Sequence, residues 1–323
     1  MYPGNVEQLK LQHGFTLIEL MVALAIGLFL IAGVFTVFIN GNQSKRVIDD
    51  QVVMIDNARF ALETISSDVR QSSVFGRVKA KVSGGQLINI TKSGTVFTSD
   101  CVPGWVEDAA FPIRAFNDPA GGVYPGCITN YLRGDVLEIR GSLLTPVVAP
   151  VASRLYINSD VNNATFFFGA VSPKISASAL DYEYYANMYY IAANSDNAAD
   201  GIPSLHRVSL QPNGTVVDQL LLSGVENMQI QFGLDTTGKK GVVNSYVPAQ
   251  LVSDWGDVKT VKIWLVVRAL SVTPGLDTTI TANIEGKFVT LTNPVSVSTP
   301  GGVNDNIRRS VISTVVKLRQ FRG

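Results

Sequence analysis

The chain has 323 residues, with 26 Lys and Arg against 26 Asp and Glu, a formal net charge of zero and 16% charged residues. That balance argues against electrostatic capture of nucleic acid as the main activity, which requires a concentrated basic surface. The two histidines, His13 and His206, and two cysteines, Cys101 and Cys127, form no cluster with metal-ligand spacing. No glycine-rich phosphate loop or Ser-His-Asp arrangement points to an enzyme, and no cofactor is expected.

A short polar leader, Met1 to Gly14, precedes 25 residues, Phe15 to Ile39, in which Glu19 is the only ionisable side chain. About 20 apolar residues span a bilayer. Insertion scales charge about 2.5–3.5 kcal/mol for an acidic residue at the centre of a span, so a carboxylate kept there implies a partner. A secretory signal peptide has a shorter apolar run with a small-residue cleavage site at its far end. Here Asn40-Gly41-Asn42-Gln43 follows instead. An ordinary signal anchor accounts for the length but for neither Glu19 nor the Gly14–Phe15 junction. Lys10 is offset by Glu7, and Lys45 and Arg46 lie beyond the span, so the positive-inside signal is weak.

Past Ile39 the chain turns polar but keeps helical spacing. Ile48, Val52, Ile55, Leu62, Ile65 and Val69 fall on one stripe. Arg46 with Asp50, and Arg59 with Glu63, are spaced to pair on the outer face. The pattern predicts one helix from near Phe15 to about Gln71, ended by Ser72-Ser73 and Gly76, whose second half packs against its own head. A free amphipathic helix or a coiled-coil seam would show much the same spacing. The stripe is irregular, however, and the β-rich remainder needs a cover.

About 245 residues follow, enough for one large or two small cores. Their apolar runs are short and rich in Val, Ile, Thr and Tyr, a β composition. Gln86–Ile90, Asp135–Arg140 and the aromatic run Tyr182, Tyr184, Tyr185, Tyr189 and Tyr190 read as strands. Leu205–Leu210 and Val216–Leu222 flank Pro212-Asn213-Gly214, a hairpin turn. Met228, Ile230, Phe232 and Leu234 alternate with polar residues or glycine. Val261 to Val267 and Ile312 to Leu318 also alternate. Asp235–Gly241 has one carboxylate and two lysines, which suits a hairpin loop and not a calcium loop. His206 reads as a packed or surface strand residue. Trp105, Tyr124 and Tyr131 would serve a binding surface if exposed. Arg308, Arg309, Lys317, Arg319 and Arg322 read as a solvated strand edge, with DNA retention as the competing reading.

The run Gly14-Phe15-Thr16-Leu17-Ile18-Glu19-Leu20 resembles the processing site of type IV prepilins and type II secretion pseudopilins. The resemblance implies cleavage between Gly14 and Phe15 by a membrane prepilin peptidase and N-methylation of Phe15. It also implies that Glu19 meets the amino terminus of a neighbouring subunit and sets register in the filament. The physics agrees, because an ammonium and a carboxylate are both costly in lipid and pairing removes part of each cost. Family leaders are usually basic, and this one departs from them.

The segment NARFALETISSDVRQSSVFG resembles the same region of PilW-type minor pilins, with Ala58 where a glycine is usual. LHRVSL, LLLSGVENMQIQFGLDTTGKKG, YVPAQLVSDWGDVKTVKIWLVVRA and RRSVISTVVKLR resemble that family's second half in order and spacing. The resemblance implies an α+β fold, a type IV pilin-like long N-terminal helix packed on a large antiparallel β-rich head. Residues 1–14 would be the leader and 15–39 the transmembrane or filament-core half of the helix. Residues 40–75 would be its amphipathic half and 76–323 the head, with a breakpoint between two sheets in the Pro-rich stretch Thr145–Pro150. Export of the head makes a Cys101–Cys127 disulfide the expectation, with two buried thiols as the alternative.

By the same resemblance the chain is expected to be a minor pilin that primes or caps type IV pilus assembly. It would sit in the inner membrane with its head in the periplasm, then at the pilus tip. Implied partners are other minor pilins, the major pilin, the prepilin peptidase, the inner-membrane assembly platform and a PilY-type adhesin. A type II secretion pseudopilin is the nearest alternative. A membrane-anchored module binding a surface, glycan or DNA is the alternative of another class.

Overall fold

The computed structural model describes residues 16–72, 74–79, 82–83, 86–92, 105–108, 110–119, 127–128, 130–197, 200–237, 242–272, 280–284, 287–291 and 306–318. The chain forms two compact units that meet in sequence at Asp50 and Gln51. Helix α1 (Leu17–Gln71) begins in the first and ends in the second. No proline interrupts it, since none lies between Pro3 and Pro103. Its last turn closes on Ser72, whose hydroxyl donates to the Val69 carbonyl at 2.7 Å.

The strands are β1 (Val82–Ser83), β2 (Gln86–Leu87), β3 (Ile90–Lys92), β4 (Ile113–Phe116), β5 (Val136–Val147), β6 (Leu155–Ser159), β7 (Ala164–Phe168) and β8 (Leu180–Ala192). They continue with β9 (Ser204–Leu210), β10 (Val216–Ser223), β11 (Val225–Leu234), β12 (Ser245–Pro248), β13 (Val258–Val272), β14 (Ile280–Ile284), β15 (Lys287–Leu291) and β16 (Ile307–Lys317). The eight-stranded sheet is built around β8. β5 runs along one of its edges, and β6 and then β9 run along the other. β10 extends it beyond β9, β7 and β3 beyond β6, and β4 beyond β5. Every pairing in it is antiparallel except β3 with β7. A four-stranded sheet follows in the order β12-β11-β13-β16.

The large sheet is buried on both faces because β8 carries bulky side chains on both. Tyr182, Tyr184, Met188 and Tyr190 enter one core with Phe75, Trp105 and Phe166. Tyr189 and Ile191 enter the other, which holds the helix and the small sheet. There Met54, Ala58, Ala61, Leu62, Ile65 and Val69 of α1 meet Leu137 and Ile139 of β5, together with Met228, Ile230, Phe232, Val261, Ile263 and Leu265. The alternation expected in β11 and β13 is present, with Met228, Ile230, Phe232, Val261, Ile263 and Leu265 all 0% exposed.

Several expectations are corrected. The helical stripe is buried only from Met54; Ile48 and Val52 are exposed. Arg59 stands 3.9 Å from Asp56, one turn back, and not against the expected Glu63. The Gln86–Ile90 strand is split, with Ile88 and Asn89 outside β2 and β3. The Pro-rich stretch does not divide the head. β5 continues through Pro146, which pairs with Tyr182. The chain passes between sheets at Gly224, between β10 and β11. Pro146 lies beyond Ile139, the last β5 residue paired with β4, so among the described strands only β8 pairs with it there, as suits a residue without an N–H.

Candidate functional site

The described helix opens on a reciprocal pair. Thr16 precedes the first helical residue, Leu17, and Glu19 is the third. Glu19 Oε2 accepts from the Thr16 N–H at 2.9 Å and from its hydroxyl at 2.9 Å. The Glu19 N–H donates to Thr16 Oγ1 at 3.3 Å. This capping box satisfies two of the donors that a helix start leaves open and sets a carboxylate at the positive end of the helix dipole. The Thr-x-x-Glu spacing of this box is legible in the sequence and adds a local role to the register role expected of Glu19. Gly14 and Phe15, the expected cleavage and methylation positions, lie outside the described residues.

From Leu17 to Ile39 the helix is apolar on all sides. Leu17, Leu24, Phe29 and Val37 are 78%, 66%, 84% and 73% exposed. By length and composition this helix is able to cross a membrane. A helix apolar all round belongs in lipid or among other helices.

The second half of α1 is seated differently. Ala58 and Ala61 are fully buried, so the backbone comes close to the sheet where a longer side chain would hold it off. Asp68 accepts from Asn187 Nδ2 and from the Tyr189 hydroxyl, each at 2.6 Å. Burial first, and then the Asp68 carboxylate, hold the Tyr189 hydroxyl well above its ordinary pKa, so it stays a donor. Gly141 of β5 lies against the helix end. A Cβ there would stand 2.7 Å from the Tyr185 hydroxyl and 2.9 Å from the Gln71 carbonyl. Phe60, in the same run as Ala58 and Ala61, is 63% exposed on the outward side.

On the other face of β5 the sheet holds charge. Glu138 and Arg140 are fully buried and pair at 2.7 Å. Arg140 also donates to the Trp105 carbonyl and, at 2.8 Å, to the Phe111 carbonyl. Arg114 reaches Glu138 at 2.9 Å and Asp108 at 3.1 Å. Burial works against the Arg140 cation, but Glu138, Tyr184 and Asp108 together outweigh it and the guanidinium is held above its ordinary range. This network fastens Trp105, Asp108, Phe111 and Arg114 to the sheet. Its one signal in the sequence is the Glu138-Ile139-Arg140 spacing inside a strand, which sets both charges on one face.

Two further polar clasps hold the head, the first between the two sheets and the second within the small one. Asp135 accepts from the Ile230 N–H at 2.7 Å and the Asp118 N–H at 2.9 Å. Beside it Gly134 has φ +82, and a Cβ there would meet Asn227 Oδ1 at 2.6 Å, so the clasp requires glycine. Arg309 holds Glu226 with two hydrogen bonds, at 2.7 and 2.9 Å.

That pairing corrects the reading of the basic C-terminal cluster. Arg309 is buried, at 5% exposure. Arg308 and Lys317 stand near opposite ends of β16, about 30 Å apart at roughly 3.3 Å per residue. Arg319 and Arg322 lie outside the described residues. Among the described residues, then, Arg308 and Lys317 do not share one patch. Among the candidate binding aromatics, Trp105 is fully buried, and Tyr131 donates to Asp118 and to the Gly134 carbonyl. Tyr124 lies outside the described residues. His206 is a packed strand residue, with Nδ1 3.1 Å from Asp218. Cys127 Sγ accepts from the Trp105 indole at 3.2 Å; its expected partner, Cys101, lies outside the described residues.

The comparisons follow this division of the chain. The family model described as Type IV Pilus-assembly protein W matches residues 188–320, and the prokaryotic N-terminal methylation motif matches residues 9–35. No curated protein matches. A solved type IV-like pilin from Thermus thermophilus is similar at 10% identity and a TM-score of 0.34, covering 82% of this chain and 94% of that one. That likeness is too low to compare sites. The matched region 188–320 contains Tyr189, Glu226, Ile230 and Arg309, the sheet residues that hold the helix and close the small sheet. On the two family matches, the chain is a type IV pilus assembly protein of the PilW family and carries the prepilin-type N-terminal methylation motif.

Proposed function

We propose that the chain is cut between Gly14 and Phe15 by a prepilin peptidase and methylated at Phe15. It then acts as a minor pilin that primes or caps type IV pilus assembly. The observation that carries this reading is a helix apolar on every side whose first turn holds its single carboxylate in a capping box. Lipid receives such a helix before assembly, and the helices of other subunits receive it afterwards. Only Oε2 of Glu19 is engaged by Thr16, which leaves Oε1 for the amino terminus of a neighbouring subunit. The box then holds the carboxylate at the helix start and the neighbour sets register.

The same reading places the chain in the inner membrane with its head in the periplasm, then in the pilus, at its tip. Its partners would be minor and major pilins, the assembly platform and a PilY-type adhesin. The family match over residues 188–320 supports the pilus over a secretion pseudopilin. The burial of Arg309 and the separation of Arg308 from Lys317 weaken a DNA-binding head. Export makes the Cys101–Cys127 bridge part of the proposal.

The test is the N-terminal mass of the protein from native membranes and from sheared pili. A chain starting at methylated Phe15, present in sheared pili, is the expected result. An uncleaved chain in peptidase-competent cells would reduce the helix to an ordinary anchor.

A further inference from the structure

A groove in the head remains outside all the packing described above. Its volume is about 600 Å³, and it lies between the last turn of α1, with Arg70, the β5 residues Leu143 and Leu144, and Lys317 and Leu318 at the end of β16. β5 makes it by leaving register. From Ser142 to Pro146 is four steps along β5, but their partners Tyr184 and Tyr182 are two steps apart on β8. The surplus is a bulge, a device that re-aims side chains. Here it turns Leu143 and Leu144 outward, at 43% and 54% exposure.

The rim carries the exposed cations Arg70 and Lys317, and no carboxylate is among the described lining residues. We propose that this groove receives a segment of a neighbouring pilus protein that presents apolar side chains flanked by Asp or Glu. The proposal rests on the assembly role given above. Charge selects the occupant. The chain's own residues after Leu318 carry Arg319 and Arg322, the wrong sign for this rim. A concave site with an apolar floor takes side chains better than a flat lipid surface, and opposite charges at its rim orient the incoming segment.

The experiment uses the full chain in pilus-producing cells, with a photoreactive amino acid in place of Leu144 and, as a control, of Val171, which is 84% exposed. The expected result is an adduct from position 144, at least tenfold above position 171. The joined peptide belongs to a pilus protein and contains apolar residues beside Asp or Glu. Arg70→Glu with Lys317→Glu lowers that adduct at least tenfold. A lipid adduct alone, an adduct within the chain itself, or equal yields from the two positions overturns the proposal. Absence of the 144 adduct from a chain that is present in sheared pili overturns the groove alone. A chain missing from sheared pili overturns the assembly role and the groove together.

Discussion

The two faces of β5 are covered by different physics. On one, Leu137 and Ile139 meet the helix residues Leu62 and Ile65 in an apolar core. On the other, Glu138 and Arg140 are just as buried and hold residues 105–116 through ion pairs and carbonyls. Apolar contact is non-directional and tolerates small shifts. A buried charge network tolerates almost none, because each charge that loses its partner stays desolvated. The helix is therefore held by many small contributions and the 105–116 segment by a few large ones.

Single substitutions should separate these two modes of attachment. Glu138→Ala leaves Arg140 buried without its carboxylate and should destabilise the head by about 3–5 kcal/mol, read by chemical denaturation. Adding Arg140→Leu to Glu138→Ala should recover part of the loss, since it removes the orphaned charge; no recovery would mean that the charge was not the source. Reduction of a Cys101–Cys127 bridge, which would close about 27 residues around the same segment, should lower stability by about 3–4 kcal/mol. No change on reduction would remove the bridge from the proposal.

On the helix face, Ile65→Ala should cost about 2–5 kcal/mol through lost burial and a cavity. Asp68→Ala strips a carboxylate from Asn187 and Tyr189 and should cost about 1–3 kcal/mol. If it cost as much as Glu138→Ala, the helix would also be held chiefly by charge. The smallest effect is expected at Phe60→Ala, within about 0.5 kcal/mol of the parent chain, since that side chain faces outward. A larger loss would show that the outward side of the helix is also packed.

The difference between the faces explains what could be read in advance. The long helix and the strands around Met228, Ile263 and Val316 follow from hydrophobic period, because burial of one face repeats at fixed spacing, while the β-rich head follows from composition. Even there the apolar spacing begins at Ile48, ahead of burial, which begins at Met54. Ala58 and Ala61 bury by being small and add little to an apolar pattern. The capping box at Thr16 and Glu19 was legible from local spacing, because its partners are three residues apart.

The sequence by itself thus determined the membrane-competent helix, its methylation motif, its capped start and the class of the head. All of these rest on neighbours within a few residues. The tertiary structure alone decided that Glu138, Arg140, Asp135, Glu226 and Arg309 are buried partners and not surface charges, that Trp105 is core, and that β5 runs through Pro146 and bulges to open a groove. Each of these depends on residues brought together across tens of positions. A charged side chain carries no mark in the sequence of whether water or an opposite charge will solvate it.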